Sequence, residues 1–355
     1  MRARPIVVAA LAVALAACPG SEEQKTRIPV GTRNLYLGTP IDRALVPPPA
    51  GQTVYDVIDE LWGIVVATDF PARAVELAGE IAAHRPLLLG LQEVSLWRSQ
   101  ICLPPDPPCG DGPWNPATHV EYDFLQILLD ALQARGLTYT AVASVTNFDG
   151  EFTGASGHDY RYTDQDVIVA LQGVQTANPR GGNFDAALVV DVGGFPVTIT
   201  RGWVSVDATV DGKTFRFAAA HLDDADPVSQ GAQAEQFLDE VATTLPVVAV
   251  GDFNSNPTPA EYRPAYGILT APATGLMDVW AHLRPADAGF SCCREGELSD
   301  PAALHYERID LILHGPQFMP VSVDITSGNA AAPVSQTQPV WPSDHAGVFG
   351  VLELD

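Results

Sequence analysis

Basic residues are scarce in this chain. Only 19 Lys and Arg stand against 43 Asp and Glu over 355 residues, a formal net charge of −24, and there is no long run of Lys or Arg. Non-specific attachment to nucleic acid draws its strength from counterions released to Lys and Arg, so this balance excludes a general nucleic-acid-coating protein. It does not exclude a nuclease, because a bound cation can supply positive charge locally. Cysteine is also scarce, at 5 residues. No histidine stands at zinc-finger spacing around them, which argues against a structural zinc site. Internal repeats and interdomain linkers are missing too. A hydrophobic fraction of 46% excludes wholesale disorder.

Long apolar runs are limited to one, from Ile6 to Ala17 behind Arg2 and Arg4. It is too short to span a bilayer and has the layout of an export signal. It ends in Leu15-Ala16-Ala17-Cys18, which resembles a bacterial lipobox. The resemblance implies cleavage before Cys18, lipidation of its thiol and anchoring in a membrane surface. Pro19 follows instead of Asp, so the expected location is the bacterial cell envelope, at the outer membrane. The expected organisation is a lipoprotein signal peptide at 1–17, a lipidated polar tether at 18–27 and one domain at 28–355. Export leaves the other cysteines in an oxidising compartment. Cys102 and Cys109 bracket a short Pro-rich loop that keeps them close, so their pairing is favoured. Cys292 and Cys293 either pair as a vicinal disulfide or stay reduced.

Apolar strands alternate with helical stretches. "PARAVELAGEIAAHR" carries Pro71 in a first-turn position and apolar residues at helical spacing. "EYDFLQILLDALQARG" is a second helix, closed by Gly136, and "SQGAQAEQFLDEVATT" a third. The segment from Leu96 to Thr118 is rich in Pro, Gly and Cys and reads as a loop. Asp211-Gly212 marks a hairpin turn. Strands lead and helices intervene, so the class is α/β or α+β with extensive sheet.

Six of the apolar strands end in polar cargo: "TRNLYLG", "LLLGLQEV", "FRFAAAHLDD", "VVAVGDFN", "ERIDLIL" and "PSDHAGVF". They present Asn34, Glu93, His221, Asp252, Asn254, Asp310, Asp344 and His345. One such end is a turn; six call for another explanation. Alternation of faces puts Val248, Val250, Asp252 and Asn254 on one side if the strand persists that far. The pair Asp223 and Asp224 reads as a solvated helix start, Asp164 and Asp166 as a strand entry and a bonded strand Asp, with lining of the site as their alternative, and Trp280 as core.

"QEV", "GDFN" and "SDH", in that order, resemble the endonuclease/exonuclease/phosphatase superfamily, which includes deoxyribonuclease I and the sphingomyelinases. The resemblance implies a four-layer αββα sandwich of two packed, mainly antiparallel or mixed sheets flanked by helices. It implies hydrolysis of a phosphoester with Mg²⁺, or Mn²⁺ in its place. Such hard cations take carboxylate and amide oxygens. Glu93, with Asn34 and Asp344, is the expected metal set, and Asp310 and Asp344 are also catalytic candidates that would ligate a metal or orient histidines. Asp252 would prepare the water and Asn254 donate to a phosphoryl oxygen. His345 would contact the phosphate or take the water's proton, oriented by a carboxylate, and His221 would protonate the leaving oxygen.

The acidic charge favours a small or lipid phosphoester as substrate over long nucleic acid. A surface-anchored nuclease is the alternative, and an Arg-lined groove, with Arg161, Arg180 and Arg201 as candidates, would support it. An inactive relative serving as a surface binding module is a third reading. The expected partners are the substrate and the membrane beneath the anchor, and the expected state is a monomer.

Overall fold

The computed structural model describes residues 25–101, 117–192, 195–257, 263–326 and 341–354. The leader, Cys18, the tether up to residue 24 and the Cys102–Cys109 loop lie outside these residues.

The chain opens with β1 (Thr26–Asn34), α1 (Val54–Ala67), α2 (Phe70–His84), β2 (Leu88–Gln92), β3 (Leu96–Ile101) and β4 (His119–Asp123). It continues through α3 (Phe124–Ala134), β5 (Tyr139–Thr153), β6 (His158–Leu171), β7 (Gln175–Asn183), β8 (Leu188–Val192) and β9 (Phe195–Ile199). Then come β10 (Gly202–Val210), β11 (Lys213–His221), α4 (Pro227–Val241), β12 (Val247–Asp252) and α5 (Ala265–Leu269). The last elements are β13 (Met277–Asp278), α6 (Val279–Leu283), β14 (Asp310–His314), β15 (Phe318–Thr326) and β16 (Gly347–Leu354).

Two mixed sheets dominate. One runs β15-β16-β1-β2-β6-β3-β4, with β5 also paired to β6; the other runs β13-β14-β12-β11-β10-β7. β1 and β2 are parallel, as are β11 and β12, and the remaining pairs are antiparallel. Alternation along each strand builds the layers. On β11, Phe215, Phe217 and Ala219 enter the core between the sheets, while Ala218 and Ala220 turn to the helix side with Phe237 of α4. On β2, Leu88 faces the other sheet and Leu89 and Leu91 pack under Leu77 and Ile81 of α2. Helix, sheet, sheet, helix is the resulting order, as the resemblance implied. Each fully buried Phe of this core contributes roughly 2–3 kcal/mol relative to exposure.

Helix ends follow their caps. Asp69, Asp123 and Asp226 accept backbone N–H groups at the starts of α2, α3 and α4. The 96–118 segment departs from expectation at its start. Leu96–Ile101 is a strand between β6 and β4, because cross-strand pairing overrides the Pro- and Cys-rich composition that follows it. Helix α1 and strand β5 have no counterpart in the sequence reading. Yet Val57, Ile58, Leu61 and Val65 are buried at helical spacing on α1.

Candidate active site

The core between the sheets ends in polar residues at one rim, and strand alternation explains which. Val30 belongs to that core, and two steps on come Thr32 and Asn34. The same period carries Ala219 to His221 and Val250 to Asp252. Ile312 leads back to Asp310, and Ala170 and Ile168 lead back to Asp166 and Asp164. Ladder register then aligns three of them: His221 is opposite Asp252, and Asp252 is opposite Asp310.

Asp252 and Asn254 meet by a turn, not by the pleat. β12 stops at Asp252, and Asn254 takes a left-handed conformation with φ 48°. Its backbone N–H donates to Asp252 Oδ1 at 3.0 Å and its Nδ2 to the Leu222 carbonyl at 2.9 Å. The expected shared strand face is therefore replaced by an Asx-type loop that ties the amide beside the carboxylate.

His345 is the hub. Its Nδ1 lies 2.9 Å from Asp310 Oδ2. Its Nε2 faces Asp252 Oδ2 at 3.6 Å, Asp344 Oδ1 at 4.0 Å and Cys292 Sγ at 3.4 Å. Burial works against a charged imidazole, but Asp310, Asp252 and Asp344 outweigh it and hold His345 well above the usual histidine range. His221 is the opposite case. Burial, then the Arg201 guanidinium and His345, push it well below that range. Its Nδ1 is 3.4 Å from Arg201 and 3.9 Å from Asp166 Oδ1, and its Nε2 is 3.6 Å from Asp252 Oδ2. Arginine only donates, so His221 Nδ1 accepts and its proton sits on Nε2, beside Asp252.

Glu93 follows β2 in a left-handed conformation, φ 54°. Its two oxygens accept from Leu37 N–H at 2.7 Å and Asn34 Nδ2 at 2.9 Å. Burial, with repulsion from Asp344, pushes Glu93 up to about 7. Burial also pushes Asp252 up to about 7, with His345 opposing and Asp310 adding to the rise. Asn34 stands beside Glu93 as expected, but it presents its nitrogen. Nδ2 bridges Glu93 and, at 3.1 Å, Asp252, while Oδ1 accepts from Tyr36 N–H at 2.9 Å. In this arrangement Asn34 joins two carboxylates and is not turned as an oxygen ligand.

The site suits a cation. Single oxygens of Asp164, Asp166 and Asp310 are buried without a hydrogen-bond partner. Carboxylate oxygens of Asp252 and Asp310 and a ring nitrogen of His345 lie within 4.8 Å of one another. Buried carboxylates with unpaired oxygens are costly unless protonated or bound to a cation.

Sequence reasoning passed over Asn147 and gave Asp164, Asp166 and Arg201 other first roles, and the fold brings all four here. Asn147 of β5 donates to Asp164 at 3.3 Å and Asp166 at 2.8 Å, and Arg201 reaches His221. The signal was present for the two aspartates: both sit at even steps from Ile168. Asp223 is also not solvated. It is 2% exposed and accepts from the N–H groups of Ala225 and Asp226, leaving Asp224 to pair with Arg201 at 2.9 Å. Cys292 and Cys293 form the vicinal disulfide, one of the two states left open by the sequence. Trp280 is core, 7% exposed.

The sequence profile of the Endonuclease/Exonuclease/phosphatase family matches residues 61–345. Solved structures share the fold at low identity. A family protein from Bacteroides thetaiotaomicron superposes with TM-score 0.55 at 18% identity, covering 94% of this chain and 99% of that one. A mannosyl-6-phosphatase from the same organism gives 0.52 at 18%, covering 92% and 99%. The human Nocturnin catalytic domain, solved with a bound sulfate anion, gives 0.52 at 16%, covering 96% and 100%. No curated protein matches the chain in sequence.

Proposed function

The chain belongs to the endonuclease/exonuclease/phosphatase family, and we propose that it hydrolyses a phosphoester by water attack beside a bound Mg²⁺, with Mn²⁺ as substitute. The observation that carries this reading is the convergence of His221, Asp252, Asp310 and His345 from separate segments onto one buried rim with unpaired carboxylate oxygen. A divalent cation there would draw charge from the phosphoryl group and acidify water. Glu93 and Asp344 would hold it.

The chain's own groups supply the rest. Asp252 faces both imidazoles and, with its affinity for a proton raised by burial, takes the proton of the attacking water. Asn254 spends one amide hydrogen on Leu222 and keeps the other for a phosphoryl oxygen. His345, charged and held by Asp310, pairs with the phosphoryl anion. His221 offers its Nε2–H to the leaving oxygen.

A small or lipid phosphoester fits this site better than a long nucleic acid. The three arginines that are candidates for a nuclease groove are each engaged by an acid: Arg161 by Asp149, Arg180 by Glu240 at 2.9 Å and Arg201 by Asp224 at 2.9 Å. Lipidation at Cys18, with anchoring in the outer membrane, would place such an enzyme at a surface.

The test is hydrolysis by the purified protein, with Mg²⁺ and with EDTA. The substrates are sugar monophosphates, inositol phosphates, sphingomyelin, phosphatidylcholine, RNA and plasmid DNA. Turnover of a small or lipid ester that EDTA stops is expected, and Glu93→Gln should raise the Mg²⁺ concentration needed for half activity by at least about tenfold while keeping the fold. Metal-independent turnover, or none from folded protein across the set, would sink the proposal. Turnover of DNA or RNA alone would overturn the substrate class.

A further inference from the structure

Cys292 has no part in phosphoester hydrolysis, yet its sulfur stands 3.4 Å from His345 Nε2. Around that nitrogen are also Asp252 Oδ2 at 3.6 Å and Asp344 Oδ1 at 4.0 Å. A tetrahedral ion with bonds of about 2.0–2.3 Å keeps neighbouring ligand atoms about 3.3–3.8 Å apart. Sulfur and the nearer carboxylate oxygen each stand at that distance from the nitrogen, and Asp344 lies farther off. The ring is oriented for the purpose. Asp310 takes Nδ1 at 2.9 Å, the outer carboxylate that fixes a ligating histidine with Nε2 toward the ion. One sulfur, one imidazole and carboxylate oxygen make a set for a borderline-soft cation and a poor one for Mg²⁺.

We propose that reduction of the Cys292–Cys293 disulfide creates a second metal site, Cys292, His345 and Asp252, for a thiophilic divalent cation of the Zn²⁺ type. In the disulfide the sulfur is a poor donor. A dithiol reductant opens it in two steps. Cys292 is buried at 1% exposure and Cys293 is half-buried, so the reductant's thiolate attacks Cys293 Sγ. The S–S bond breaks and Cys292 leaves as a thiolate. The reductant's second thiol then displaces Cys293 and closes the reductant's own disulfide. Two electrons and two protons pass to the protein, and on binding the cation displaces the Cys292 proton and the His345 Nε2 proton to solvent. The occupied site takes His345 Nε2 and Asp252 Oδ2 out of use, so reduction with zinc would inhibit hydrolysis. That consequence rests on the proposed function; the binding does not and is measured without substrate.

The experiment is Zn²⁺ affinity of the full protein against a chromophoric chelator, oxidised and after dithiol treatment, in excess Mg²⁺. Reduced protein should bind Zn²⁺ about 10–100-fold more tightly, the range that follows loss of an important metal contact. Cys292→Ser should abolish that difference, and Cys293→Ser should bind tightly without reductant. Co²⁺ in the reduced protein should give a sulfur-to-metal charge-transfer band that Cys292→Ser lacks. Equal affinity in both redox states, a difference that survives Cys292→Ser, or no sulfur band would overturn the site. Should reduction unfold the protein, Cys293→Ser decides alone. Reduction-dependent binding without any phosphoester turnover would keep this site and remove the proposed function.

Discussion

Asp310 takes the Nδ1 side of His345 at 2.9 Å with one oxygen, while its other oxygen is buried without a partner. The contact turns His345 Nε2 toward Asp252 and Asp344 and supports its charge. Asp310→Asn keeps the shape and removes the charge. It should cost roughly 10²-fold or more in kcat with a smaller change in KM. It should also lower the pH above which His345 loses its proton, so the alkaline decline of activity moves to lower pH. A pH–rate profile of kcat checks both, and an unmoved alkaline limb would deny Asp310 its positioning role.

His221 offers a neutral N–H on the side of Asp252. Its value depends on the leaving oxygen. His221→Gln should slow an alkyl phosphoester by roughly 10²-fold or more and a nitrophenyl ester far less, since a good leaving group departs without a proton. Parallel assays on the two esters decide it. Equal losses would move His221 from chemistry to support of Asp252.

Asp166 is fully buried, with Oδ2 on Asn147 at 2.8 Å and Oδ1 unpaired. Burial, then repulsion from Asp164, raises its pKa well above the ordinary carboxylate value. The folded chain therefore keeps a proton that the unfolded chain releases, and this group's stability contribution is lost as pH rises from the unfolded value toward the folded one. Asp166→Asn escapes that loss. In EDTA at pH 7 it should melt roughly 2–4 °C or more above the parent, the shift that ~1 kcal/mol gives in a domain of moderate size, and the gap should close near pH 4. Thermal melts at the two pH values test the sign. A variant less stable at pH 7 would mean that Asp166 is charged and paired in the fold.

Much of this rim was legible because it is made by period-2 alternation near motifs that carry chemistry. Glu93, His221, Asp252, Asp310 and His345 each lie at or just beyond a strand end, and the strands themselves were plain in the apolar runs. What was hidden depends on register between distant segments. Arg201 meets His221 because β10 and β11 form a hairpin that pairs Gly202 with His221. Asn147 reaches Asp166 through the long ladder of β5 on β6. Cys292 meets His345 because an isolated bridge pairs Cys292 with Glu307, and Ala346 N–H donates to Ser291. The Asp211-Gly212 turn marks the first of these pairings in the sequence, and local composition carries no trace of the other two. In the same way, a Pro- and Cys-rich sequel concealed the strand Leu96–Ile101.

Gly251 decides whether Asp252 can stand where it does. Its φ is 148°, and a Cβ there would lie 2.0 Å from the Ala220 carbonyl oxygen, within the ladder that holds β12 to β11. Backbone cannot yield as a flexible side chain can, so Gly251→Ala must part the two strands at the point where His221 and Asp252 are paired. The cost should be about 2–5 kcal/mol, among the larger single-residue effects. Gly173 is the control. It also has positive φ, 101°, but a Cβ there meets nothing within 4 Å, so Gly173→Ala should cost only about 1–2 kcal/mol and leave activity intact. Denaturant melts and kcat on the same preparations separate the two effects. Gly251→Ala should lose both stability and kcat, because the displaced strand carries both groups with it. Full kcat in a folded Gly251→Ala protein would show that the rim tolerates a shift of Asp252, against the tight positioning on which the proposed chemistry depends.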